Sequence, residues 1–141
     1  MIHPIRRTPK YIPFAFSILL LVFATLGCGG FGLAYEKNLT GSYAVWAIDT
    51  NSQAAIVKRD DDPDNSSATT IIDAMVFAYG WNKKFIIAKQ HPNADTSITH
   101  WFILETYSGT VYGPLTEEAF NLLRQQLGIP NSLSFRETIA P

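Results

Sequence analysis

Hydrophobic and polar residues alternate along much of the chain between residues 42 and 115. A period of two, carried by β-branched and aromatic residues, predicts half-buried β-strands. Segments rich in Asp, Asn, Ser and Gly separate the apolar ones, and such segments are typical of turns. The Asp, Asn and Ser side chains hydrogen-bond to the nearby backbone, and glycine adopts backbone conformations that other residues avoid. The predicted strands comprise residues 43–48, 54–58, 71–79, 84–90 and 98–106, followed by a short return strand at 111–112.

One helix is predicted after the last strand. Thr116 can cap it, because its hydroxyl can accept a hydrogen bond from an otherwise unpaired N–H of the first turn. Glu117 and Glu118 place negative charge at the positive end of the helix dipole. Gly128 and Pro130 end the helix. Its apolar stripe, at spacings of three and four, consists of Phe120, Leu123 and Leu127.

The order of these elements predicts the fold class. Consecutive strands joined by short turns favour an antiparallel meander, and the helix carries an apolar stripe that can cover one face of the sheet. We therefore predict one α+β domain at residues 42–141, with an antiparallel sheet of five or six strands and one C-terminal helix packed on it. The tail at residues 131–141 is predicted as either an edge strand or a frayed end.

The first 28 residues follow a different pattern. An uncharged, largely apolar run at residues 11–28 follows a basic head and ends on Gly27-Cys28. A basic head, an apolar middle and a small residue before the cleavage point are typical of a secretory signal. Because a cysteine directly follows the small residue, the segment resembles a bacterial lipoprotein signal. The cations of the head are Arg6, Arg7 and Lys10.

This resemblance implies a location. Residues 1–27 would be a signal peptide that is removed, Cys28 would carry the lipid, and residues 28–41 would form a flexible tether. The domain would then lie on the extracytoplasmic side of the cell membrane, inner or outer, and would contact the membrane through the lipid on Cys28.

Two other interpretations of the N-terminus remain open. The uncharged run at residues 11–35 is long enough for an uncleaved membrane helix, for which about 20 residues suffice, although its glycines lower helix propensity. Alternatively, the segment is an ordinary secretory signal and Cys28 is incidental. The lipoprotein and membrane-helix interpretations share one topology, with the cations inside and the domain outside.

Composition and charge indicate one domain and argue against one class of partner. The 141 residues suit one small domain with one core, and the single cysteine allows no internal disulfide. The full chain has a formal net charge of −1, and removing the three head cations leaves −4. A mildly acidic product argues against a nucleic-acid partner, because binding to phosphates requires a basic surface.

Polar side chains that could carry catalysis or a metal form no established motif. The acidic loop lacks the closing carboxylate of a calcium loop, and the histidine spacing matches no known ligand pattern. We therefore predict no catalytic residue, no metal and no cofactor, with an unrecognised extracytoplasmic hydrolase or metal-dependent enzyme as the alternative. These side chains are Asp60, Asp62 and Asp64 in one loop, His91, Asp95 and His100 around another, and the strand carboxylates Asp73 and Glu105.

Aromatic residues are the candidate binding residues. Three tryptophans are difficult to bury under one short helix, and aromatic side chains are enriched in binding surfaces. We therefore predict a non-catalytic binding or structural module whose partner is an envelope protein or peptide. The candidate residues are Trp46, Trp81, Trp101 and Tyr112.

Two resemblances bear on this prediction. The segment from Trp101 to Glu118 resembles the GYF-type peptide-binding modules, although their terminal Gly-Tyr-Phe is absent. Taken whole, the chain resembles the small uncharacterised lipoproteins of bacteria, a family with a domain of unknown function. That second resemblance implies a localisation and a fold, but no activity. Besides the signal, it rests on residues 78–82, 85–92 and 112–116.

Overall fold

The computed structural model describes residues 33–61 and 67–139, all within the unit Gly32–Pro141. The predicted signal, Cys28 and two residues of the acidic loop, Asp62 and Asp64, lie outside the described residues. Two antiparallel sheets, one α-helix and two short 3-10 helices (Asn51–Gln53 and Pro92–Ala94) form the described part of the chain.

The first sheet is a four-stranded meander in the order β1-β2-β3-β4. Each strand pairs with the next along the chain, since short turns leave a strand beside its predecessor. The strands are β1 (Tyr35–Asn38), β2 (Tyr43–Ala47), β3 (Ala55–Arg59) and β4 (Ala68–Ile72).

The second sheet has five strands in the order β8-β7-β6-β5-β9. The helix α1 (Glu117–Gln126) follows β8, and the tail then returns to pair with β5 at the far edge. The strands are β5 (Val76–Trp81), β6 (Phe85–Gln90), β7 (His100–Glu105), β8 (Val111–Leu115) and β9 (Glu137–Thr138).

The second sheet is the middle layer of three. Along β6, Ile86 and Ala88 face the first sheet, whereas Phe85 and Ile87 face the helix, as the alternation in the sequence predicts. The first core, between the sheets, contains Tyr43, Val45, Ala47, Ala54, Ile56, Ile72, Val76, Tyr79, Ile86, Ala88, Phe102, Leu104 and Ile139. The second core, beneath the helix and the tail, contains Phe85, Ile87, Trp101, Ile103, Phe120, Ile129 and Leu133.

The prediction of one sheet of five or six strands is wrong, because the chain forms two sheets. The predicted strand at residues 71–79 is in fact the end of β4 and the start of β5, separated at residues 73–75. Met75 has a positive φ of 76°, a conformation outside the β region that changes the chain direction. The apolar residues on both sides of this break conceal it in the hydrophobic pattern.

The structure also corrects part of the predicted flexible tether. Tyr35–Asn38, inside the proposed flexible segment 28–41, forms the edge strand β1. The Tyr35 hydroxyl lies 2.6 Å from that of Tyr79, which links β1 to the second sheet. A flexible tether is therefore wrong for these four residues, and the folded domain begins before Ser42.

The predicted helix is confirmed. Thr116 Oγ1 accepts a hydrogen bond from the Ala119 N–H at 3.2 Å, and Phe120 is only 1% exposed. Leu123 is only partly buried against the second core. The Arg124 guanidinium donates to the carbonyl oxygens of Pro130 and Leu133, which fixes the tail beside the helix. No helix in the described ranges has the length and apolarity needed to cross a bilayer.

The sandwich has two distinct ends. The turns between β1 and β2, β5 and β6, and β7 and β8 meet at one end, which we call the turn end. Because neighbouring strands run in opposite directions, β1 begins at the other end. The described chain therefore enters the domain at the end opposite the turn end.

We expect Phe120→Ala to lower the free energy of unfolding by about 3–5 kcal/mol, because it removes a buried ring from the second core. Leu122→Ala is the matched control: Leu122 is 55% exposed on the same helix, so the change should stay within about 0.5 kcal/mol. Urea denaturation of the full chain in a nonionic detergent measures both. Equal losses would contradict docking of the helix through Phe120.

Gly80→Ala should also destabilise the domain. A Cβ at Gly80 would lie 2.0 Å from the Ser134 carbonyl oxygen, whereas one at Gly41 meets nothing within 4 Å. We expect about 3 kcal/mol for Gly80→Ala, because backbone atoms cannot rotate away. Gly41→Ala should cost about 1 kcal/mol, through its positive φ alone. The same denaturation experiment compares them, and a neutral Gly80→Ala would show that the tail does not cross β5 here.

Candidate functional site

Trp46 lies on the outer face of the first sheet. Its neighbours Val45 and Ala47 belong to the first core, so the side chain between them points away from that core. The ring is partly buried, and its buried Nε1 has no hydrogen-bond partner in residues 33–61 and 67–139.

Trp81 lies at the margin of the first core. Its ring stacks on that of Tyr79, with the centroids 5.8 Å apart. Two cations flank the same ring: Lys37 Nζ lies 6.0 Å and the Arg136 guanidinium carbon 5.4 Å from its centroid. Part of this side chain remains accessible.

Trp101 and Tyr112 lie on the helix side of the second sheet. Trp101 is 9% exposed, 5.0 Å from the Phe120 ring, with Lys89 Nζ 4.0 Å above its centroid. Tyr112 packs partly buried against the same core. The four candidate aromatic residues therefore occupy three separate places and do not form one surface.

The histidine loop is held by local contacts. The His91 ring stacks on Phe77 with centroids 4.0 Å apart, and its Nδ1 lies 2.9 Å from the Ile98 carbonyl oxygen. Asp95 accepts hydrogen bonds from the hydroxyl and the backbone N–H of Ser97, and these bonds lower the pKa of the Asp95 carboxyl. His91, Asp95 and His100 form no metal cluster, and no other described His, Cys, Asp or Glu side chains do.

The carboxylates Asp73 and Glu105 lie at opposite ends of the sandwich. Asp73 follows β4 at the end where the chain enters, while Glu105 ends β7 at the turn end, where it accepts a hydrogen bond from the Ser108 hydroxyl. They are therefore not the paired carboxylates that hydrolysis of a glycoside would need.

A pocket of about 420 Å³ opens at the turn end, between the two sheets. One wall comes from the β1–β2 turn and the end of β3, and the other from the β5–β6 and β7–β8 turns. We call it the turn-end pocket. Its lining residues are Thr40, Gly41, Ser42, Tyr43, Lys58, Asp61, Lys83, Thr106 and Tyr107.

Local hydrogen bonds fix the turn that carries Lys83. The Asn82 side-chain oxygen accepts from the N–H groups of Lys84 and Phe85, at 2.8 and 2.9 Å, so Asn82 closes the turn. Thr106 Oγ1 then donates to the Lys83 carbonyl oxygen at 2.8 Å, which ties the turn to the end of β7. The backbone at Lys83 is therefore held at the mouth of the pocket.

The turn-end pocket carries an excess of positive charge. Lys58 and Lys83 line it together with one acid, Asp61. In the described part of the chain, neither lysine makes a salt bridge or a side-chain hydrogen bond. The Tyr107 ring beside them is 78% exposed. Two unpaired ammonium groups and an open aromatic ring can together bind a ligand that carries negative charge.

A second depression of about 630 Å³ adjoins the first at the turn end and shares Lys83 with it. Its lining includes Lys84, Glu105 and the end of the helix at Leu127. The sequence predicts turns at residues 80–83 and 107–110, but it predicts residues 28–41 as a tether and carries no signal that residues 40–42 meet these turns. The pocket was therefore not predicted.

Comparisons with known proteins identify a family but no activity. The profile of the family described as "Protein of unknown function (DUF3997)" matches residues 40–139, which include the pocket-lining turns of both sheets. A search of curated proteins and a search of solved structures each return no match. Because the family match covers more than half of the 141 residues, the chain belongs to the DUF3997 family of proteins of unknown function.

Proposed function

We propose that the protein is a lipid-anchored, extracytoplasmic binding module. Its turn-end pocket takes the carboxylate or phosphate group of an envelope component and performs no chemistry on it. One observation carries this proposal: Lys58 of the first sheet and Lys83 of the second line one pocket, and neither has an ion-pair partner among the described residues.

Charge supports an anionic ligand. The chain after residue 27 is acidic overall, since the full-length charge of −1 includes three cations before that point. A local excess of lysine on an acidic domain attracts an anionic group to this pocket rather than to the rest of the surface. Lysine suits this role because its ammonium is a compact charge with three rotatable donors.

Hydroxyl groups and an aromatic ring in the turn-end pocket can contact parts of a ligand other than its charged group. Thr40 and Ser42 lie in the β1–β2 turn and present short polar side chains to the pocket. Tyr107 offers an apolar face with a polar tip, which suits a ligand that is partly polar and partly apolar. We therefore infer a ligand that bears hydroxyl groups beside its negative charge.

A lipid on Cys28 would hold the domain to a membrane through a short segment. From Cys28 to the start of β1 there are about seven residues, which span at most about 25 Å when fully extended. The described chain enters the domain opposite the turn end.

We expect Lys58→Ala and Lys83→Ala each to weaken anion binding by about fivefold, because an exposed charge contact is worth up to about 1 kcal/mol. Lys84→Ala is the matched control: it removes the same charge one residue further on, outside the turn-end pocket. Nuclear magnetic resonance titration of the full chain in detergent measures binding. Inorganic phosphate and acetate are separate probes that distinguish a phosphate from a carboxylate ligand.

Two results would contradict anion binding in the turn-end pocket. If all three lysine variants weaken binding equally, the anion responds to general surface charge. If neither phosphate nor acetate shifts the amide signals of residues 40–43 and 106–107, the pocket takes no anion.

The anchor requires its own test. We expect Cys28→Ser to abolish incorporation of labelled palmitate in a bacterial host, because Cys28 is the only thiol in the chain. Ser17→Ala, in the apolar run, is a control that should keep the label. Equal labelling of the Cys28→Ser variant would contradict lipidation there and would favour a membrane-spanning segment.

A further inference from the structure

The two sheets present four edge strands, and three of them carry features that prevent pairing with another chain. Strand β1 is four residues long and contains Glu36 and Lys37. Strand β8 contains Pro114, and β9 has only two residues. Charge, proline and shortness are the usual ways in which a sheet edge is protected.

The fourth edge, β4, lacks all of these features. Its five residues are Ala-Thr-Thr-Ile-Ile, without charge, proline or glycine. Within the described ranges it pairs on one side only, with β3. Thr69 and Thr70 are exposed, and β-branched residues favour an extended backbone. Strand β4 therefore offers a row of backbone donors and acceptors to another strand.

Acidic side chains lie at both ends of this edge. At its start, Asp60 Oδ2 accepts a hydrogen bond from Ser67 Oγ at 2.7 Å, and the Asp60 N–H donates to the Ser67 carbonyl oxygen. Asp61 follows Asp60, and Asp73 follows the last residue of β4. All three acids are exposed. An added strand would thus meet negative charge near each of its ends.

The cations near β4 lie one strand further in. Lys58 is opposite Thr69 on β3, and Arg59 is opposite Ala68. The Arg59 guanidinium lies 3.4 Å from the Glu36 carboxylate of β1, on the side away from β4. Lys58 lies beside Asp61 in the turn-end pocket and offsets one of the two acids at that end, so Asp60 and Asp61 together still leave an excess of negative charge there.

We infer that β4 is a strand-addition site for an extended peptide of a partner protein, with a β-branched centre and a lysine or arginine at each end. Backbone hydrogen bonds would supply the affinity, and the terminal cations would meet the acids and set the register. A second copy fits less well: antiparallel pairing centred on Thr70 would bring Asp73 of each copy beside Ser67 and Asp60 of the other. This surface lies beside the turn-end pocket and shares Asp61 with it.

The test uses a fluorescent peptide of five alternating valine and threonine residues with one lysine at each end. Fluorescence anisotropy follows its binding to the full chain in nonionic detergent. Thr70→Pro should weaken binding at least about tenfold, because proline obstructs pairing along the edge. Val111→Pro, the same change on the edge strand β8, should leave binding within about twofold. The urea midpoint of each variant shows whether it is folded.

A second arm does not depend on any variant. The same peptide with an N-methyl group on every valine and threonine cannot donate backbone hydrogen bonds from either edge of these residues, so it should bind at least about tenfold more weakly. The same peptide with glutamate ends should also bind more weakly, because like charges repel.

Three results would overturn the inference. The first is no binding of the lysine-ended peptide, and the second is equal binding of the N-methylated form. The third is a dimer of the wild-type chain, seen by sedimentation, that Thr70→Pro converts to a monomer, since β4 would then pair with a second copy.

Discussion

Burial of the middle sheet on both faces is the constraint on which the rest of the structure depends. Along β6, Ile86 and Ala88 require cover from the first sheet, while Phe85 and Ile87 require cover from the helix and the tail. One helix of ten residues can cover only one face, so the other strands must form a separate layer. The same constraint explains the position of the tail. Because Gly80 has no side chain, the Ser134 carbonyl oxygen can lie close to it, and the tail completes the second core.

The sequence predicts the elements well and their assembly poorly. Alternation identifies β2, β3, β6 and β7, and the Thr116 cap with the Phe120 stripe identifies the helix. The division into two sheets depends on the break at residues 73–75, where Met75 has a positive φ. Asp73 is a single polar residue between two apolar segments, which is too weak a signal to mark the break. The pocket is missed for a related reason: Lys58 and Lys83 are distant in sequence, and only the stacking of two sheets brings their turns together.

The proposed functions follow from the parts of the surface that the two cores do not use. The apolar side chains of Trp101 and Phe120 stabilise the domain and leave little area for a ligand. The turn end, by contrast, presents two lysines without a salt-bridge partner among the described residues, and β4 presents a backbone edge whose five residues carry no charge.

Hydrogen exchange of the full chain, read by mass spectrometry, tests the two-sided burial most directly. Amides in the best-packed element open only with global unfolding, whereas edges and turns open locally. The slowest exchange should occur in β6 and β7, which lie between both cores, with α1 and β1 exchanging faster. If α1 or the first sheet kept protection after β6 and β7 had exchanged, the middle sheet would not be the element on which the domain depends.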